Sequence, residues 1–107
     1  MTEEHAEMYH FLVFLIFGES YNFDAPPRIE NPKELMEAVE SVLDTLSDAE
    51  VSFLKSRFGL IDGDLKSLEE MAILLGKGVE ELQVFELDLM KKLRHPARSE
   101  NLRKYLD

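Results

Sequence analysis

Four acidic residues, Glu80, Glu81, Glu86 and Asp88, lie close enough in sequence for paired-carboxylate chemistry, either acid–base or metal-assisted. Nothing beside them marks a nucleophile or a base partner, so they read as a solvated acidic face that repels polyanions. His5 and His10 are five residues apart, a spacing that does not set them on one helix face as a metal pair requires. Asp62-Gly63-Asp64 lacks the remaining ligands of a calcium loop and reads as a turn. There is no cysteine, which removes disulfides, thiolate metal sites and thiol nucleophiles and fits a reducing compartment. The expectation is a protein that is not an enzyme and holds no metal or cofactor.

The basic residues are unevenly placed. Residues 1–90 hold six of the 12 Lys and Arg but 20 of the 22 Asp and Glu, a balance of −14. Residues 91–107 hold the other six bases with Glu100 and Asp107, a balance of +4. Nucleic-acid binders usually carry a basic patch, because phosphate neutralisation supplies much of the affinity. Here such a patch has room only at the carboxy-terminal end.

The elements that position these groups read as helices. Residues 8–17, MYHFLVFLIF, are apolar nearly all round, and Glu3, Glu4 and Glu7 favour a helix start before them. A helix over about 3–17 is expected, with a strand as the competing reading. The run is too short to span a membrane and its acidic flank does not suit a signal peptide, so a soluble, cytoplasmic protein is expected. Pro26 and Pro27 mark an extended connector over 18–31. Asn31 and Pro32 open a helix to about Leu46. Ser47 with Glu50, and Ser67 with Glu70, form capping boxes that start two more helices. Gly76-Lys77-Gly78 makes a tight turn, and a longer helix covers Val79–Leu93 until Pro96 breaks it. A last short helix is expected over about Ser99–Leu106. With 107 residues, 45% of them apolar, this is one small all-α bundle. A short helix, a glycine turn and a longer helix make a helix-turn-helix.

From about Glu34 to Asp107 the chain resembles region four of bacterial primary sigma factors. The sharpest parts are Leu43–Leu46, Arg57-Phe58-Gly59, Leu68-Glu69-Glu70, Lys92-Leu93-Arg94-His95-Pro96, Arg98-Ser99 and Leu102-Arg103. The resemblance implies a sigma region-four-like helix-turn-helix domain over 32–107, with 1–31 as an added apolar helix and connector. Met1 and the unrelated first segment favour a small protein in its own right over an excised fragment.

The resemblance implies two jobs. The first is reading promoter DNA. The family's recognition helix carries arginines where this chain has Val79, Glu81 and Gln83, a glutamine at Val84 and a lysine at Asp88. Each lost bidentate arginine–guanine contact removes roughly 1–3 kcal/mol of discrimination. What remains for DNA is Lys55, Arg57, Lys91, Lys92 and Arg94 for phosphates, with Glu80 and Gln83 for base edges. The second job is docking on the flap of the RNA polymerase beta subunit through an apolar groove. Phe58, Leu60, Met90 and Leu93 keep apolar character there.

Ile16-Phe17-Gly18-Glu19 also resembles the end of the flap-tip helix. Phe11, Leu12, Leu15 and Ile16 then form an interaction helix, for this chain's own groove or for a homodimer; the plainer and favoured account is that they enlarge the core. The leading expectation is therefore a transcription regulator that docks on polymerase or an anti-sigma or other sigma-interacting protein, with weak or absent promoter binding. The alternatives are a DNA-binding regulator of altered specificity, dimeric through the first helix, and a decoy or anti-sigma-type module.

Overall fold

The computed structural model describes residues 5–106, all of it helix, turn and loop with no strand among the described residues. The helices are α1 (Ala6–Ile16), α2 (Pro32–Leu43), α3 (Asp48–Arg57), α4 (Leu68–Leu75), α5 (Val79–Arg94) and α6 (Pro96–Ser99), followed by a closing 3₁₀ helix (Glu100–Leu106). Of the expected first helix, Glu3 and Glu4 lie outside the described residues; the rest is helix rather than strand.

The starts are set by side chains that satisfy orphan backbone N–H groups. The Asn31 carboxamide accepts from the Glu34 N–H at 3.1 Å. Ser47 and Ser67 complete both capping boxes, their Oγ atoms accepting from Glu50 N and Glu70 N while the glutamates accept from the serine N–H groups. Two ends differ from the sequence expectation. The second helix stops at Leu43, because the Thr45 hydroxyl donates to the Val42 carbonyl at 2.6 Å and the next amides bond three residues back. The last helix, expected over about Ser99–Leu106, is 3₁₀ from Glu100 onward, and a short α6 precedes it, with Pro96 at its first position, where the missing N–H costs nothing.

α1 is the centre of the molecule, packed on α2, α5 and the 3₁₀ helix. Leu12, Val13 and Ile16 are buried, and they share one core with Leu35, Met36, Leu43, Leu54, Leu93 and Leu102. Residues on both sides of the expected boundary at 31/32 thus contribute to a single core. The connector folds back along α1, with the rings of Tyr21 and Phe23 packed at a tilt against Phe11 at centroid separations of 5.7 and 4.9 Å. The Cα radius of gyration, 13.4 Å, is close to the ~13 Å of about 100 residues folded as one body. Among the described residues no helix is long and apolar enough to cross a membrane.

Gly59 ends α3 with φ +63°, and a Cβ there would lie 2.6 Å from the Asp64 amide nitrogen. Both facts require glycine. The close approach folds the 59–66 loop onto the end of α3. Within it, Asp62-Gly63-Asp64 is a turn, held by Asp64 N donating to Asp62 Oδ1 at 3.0 Å.

Candidate functional site

α4 and α5 are joined by Gly76-Lys77-Gly78. Gly76 takes the left-handed conformation, φ +64°, that closes a helix, and Glu81 accepts from the Gly78 N–H at 3.2 Å to open the next one. α5 buries Leu82, Leu89 and Leu93, and Phe85 meets Phe53 edge-on at 5.0 Å. Its opposite face presents Glu80, Gln83, Val84, Leu87, Asp88 and Lys91 to solvent. Val84 and Leu87 are 60% and 63% exposed. The helix face expected to meet DNA therefore offers acid and aliphatic surface. Glu80 and Glu81 suit the positive end of the helix dipole, yet they set negative charge where base edges would arrive.

Most of the cations chosen for phosphate contact are already partnered. Arg57 Nε lies 2.9 Å from Glu86, while its Nη1 donates to the Lys66 carbonyl and its guanidinium lies over the Phe58 ring. Lys55 pairs with Glu40 at 3.2 Å and Lys92 with Glu50 at 2.9 Å. Arg94 Nε donates to the Ile16 carbonyl at 2.6 Å. Lys91 is exposed and makes no ion pair among the described residues. The Lys92–Glu50 pair is exposed and worth only ~0–1 kcal/mol, whereas the Lys55–Glu40 and Arg57–Glu86 pairs are partly buried and held more firmly. What counts against DNA is that Lys55, Arg57 and Lys92 each bring a carboxylate. The hydrogen bond from Lys92 holds Glu50 below the usual carboxylate range, so that acid stays charged.

The expected docking residues are not an open groove. Phe58, Leu60 and Leu93 are buried and Met90 is half-buried. Phe11 approaches Phe58 with ring centroids 6.1 Å apart, and Arg94 bonds α1 as described. Of the four residues singled out on α1, Leu12 and Ile16 are inside the chain's own core and Phe11 and Leu15 are half-buried against it. As folded, α1 belongs to this chain's own core and is not an exposed interaction helix. The remaining α1 group with chemistry, His10, is buried; its Nε2 lies 2.8 Å from the Tyr105 carbonyl and its Nδ1 3.4 Å from the Tyr21 hydroxyl. A carbonyl only accepts, so Nε2 carries the proton.

A second groove was not foreseen. It runs between α3, α4 and α5, with a volume of about 580 Å³, a floor of Phe53, Met71, Leu82 and Phe85, and a wall of Leu74 and Leu75. The signal was present: Ile73-Leu74-Leu75 at the end of an eight-residue helix cannot all turn inward. Among the described residues no group of three or more His, Asp or Glu is placed to hold a metal ion. No protein-family model matches the chain.

Proposed function

We propose that this protein is a non-enzymatic transcription regulator, a sigma region-four-like helix-turn-helix module that works through protein contacts rather than promoter DNA. The carrying observation is the outer face of α5: two glutamates in the first turn, then exposed Val84 and Leu87 beside Asp88. Sequence-specific readers need donors aimed at base edges and cations at the backbone. Here three of the five candidate cations are neutralised by neighbouring carboxylates. In this reading α4, the glycine turn and α5 keep the helix-turn-helix scaffold, and its partner is RNA polymerase or a sigma-interacting protein.

Docking on the polymerase flap through Phe58, Leu60, Met90 and Leu93 carries a further requirement. Phe58, Leu60 and Leu93 must first be uncovered, since they are buried in the core that α1 shares and Phe11 packs near Phe58. A salt-titrated binding series with a promoter upstream-element duplex tests the reading. The expected result is weak association at physiological salt with no preference over a random duplex; tight, sequence-specific binding would sink it. Capture of the purified polymerase beta subunit by the full chain, lost when the flap-tip helix is removed from the beta subunit, supports the flap as partner.

A further inference from the structure

We propose that the groove between α3, α4 and α5 is a docking site for a cationic amphipathic helix of a partner protein. The inference rests on the reading of this chain as an interaction module, and not on its likeness to sigma factors.

The apolar part of the case is geometric. Leu74 lines the groove and is 61% exposed, and Leu75 beside it is 49% exposed. Aliphatic side chains on the wall of a preformed cleft are what a helix presenting anchors at i, i+3 or i+4, and i+7 fills. No strand edge is present among the described residues to add a strand to.

The electrostatic part selects the occupant. Glu81 lines the groove. Asp48 is the residue before the lining Ala49, and Glu70 stands one turn before Leu74 and shares its helix face. All three acids are exposed, and Lys77 is the one cation of the lining. Nucleic acid is disfavoured by that rim. A second copy of this chain is disfavoured as well, because each copy carries the same acidic rim and a formal charge of −10, and Arg57, Lys92 and Lys104 are already held by Glu86, Glu50 and Glu34. A foreign helix with leucines on one face and lysines on the other satisfies both walls and rim.

The test uses the full chain and three labelled synthetic peptides of one length. One is an amphipathic leucine–lysine helix, one a scramble of the same composition, and one has glutamates in place of lysines. The proposal expects saturable anisotropy change with the first, weakening as salt rises, and binding at least about tenfold weaker for the other two. Leu74→Asp should weaken the first peptide at least about tenfold. The sign is decisive, because the added acid would strengthen a merely electrostatic attraction. Leu74 is mostly exposed, so an unchanged thermal melt verifies that the variant folds. Equal binding of peptide and scramble overturns the proposal, as does binding that Leu74→Asp leaves alone or tightens. A concentration-dependent dimer abolished by Leu74→Asp in sedimentation overturns it in favour of a second copy. Promoter binding bears on the proposed function and leaves these outcomes unaffected.

Discussion

Truncating one leucine of α1 decides what that helix is for. Leu12 is 0% exposed and packs in the common core. Leu12→Ala removes three carbons and leaves a cavity that α2, α5 and the 3₁₀ helix can only partly close. Such substitutions cost about 2–5 kcal/mol, with the upper range where the site cannot collapse. A central value of ~3 kcal/mol is a large share of the ~5–15 kcal/mol that holds a domain together. It lowers the melting temperature by roughly 10 °C or more for a chain of this size. The assay is urea unfolding followed by far-UV circular dichroism, with Leu15→Ala as a half-buried comparison. The expected pattern is a reduced midpoint at unchanged slope, larger for Leu12 than for Leu15. A loss below about 1 kcal/mol for Leu12→Ala, or a separate early transition for α1, refutes the account of α1 as the centre of the core.

Three further outcomes are expected. Ser67→Ala leaves the Glu70 N–H without its cap and should cost about 0.5–2 kcal/mol in the same urea assay, with no effect on peptide docking. Arg57→Ala strands the Glu86 carboxylate, whose side chain is 17% exposed, and should cost about 1–3 kcal/mol; a companion Glu86→Leu recovers part of it, and DNA affinity does not change in either variant. Stability should fall at both ends of the pH scale. Glu34, Glu50 and Glu70 are held below the usual carboxylate range by hydrogen bonds from Lys104, Lys92 and the Ser67 N–H respectively. Their contribution is present above the unfolded carboxylate value of about 4 and is lost as pH falls through the lower folded values. Tyr21 is pushed up to about 12 by burial and then by the Glu7 charge, and burial with the Glu40 hydrogen bond raises Tyr9. That contribution is present below the ordinary phenol value of about 10 and is lost as pH rises through the folded values. Phenolate absorbance should therefore rise late and together with unfolding.

Local signals in the sequence were strong enough to place the helix starts. Asn31, Ser47 and Ser67 act through groups three residues away, a distance that one-dimensional spacing captures. The glycine turn before α5 and the inward face of Leu82, Phe85, Leu89 and Leu93 were legible for the same reason. The role of α1 was harder to read, because a run that is apolar all round has no preferred direction. Only the fold shows that its faces meet α2, α5 and the 3₁₀ helix. The cations were legible as residues but not as a site. Lys55 finds Glu40 and Arg57 finds Glu86 across distances in sequence that no short pattern spans. Phe58, Leu60 and Leu93 have the composition of either a groove or a core, and burial assigns them to the core. The groove of α3, α4 and α5 was hidden because its floor and wall come from three separate segments.

The bond between His10 and the Tyr105 carbonyl joins residues 95 apart in sequence. During synthesis on the ribosome, α1 emerges long before the segment that covers it. Until then MYHFLVFLIF has only part of its apolar surface to bury against, and it is the kind of stretch a chaperone holds or a neighbouring nascent chain sticks to. Chains halted before residue 100 lack Leu102 and the acceptor for His10, so they should accumulate as aggregates rather than as a smaller folded form. The order in which this protein is made thus runs against the order in which its core closes.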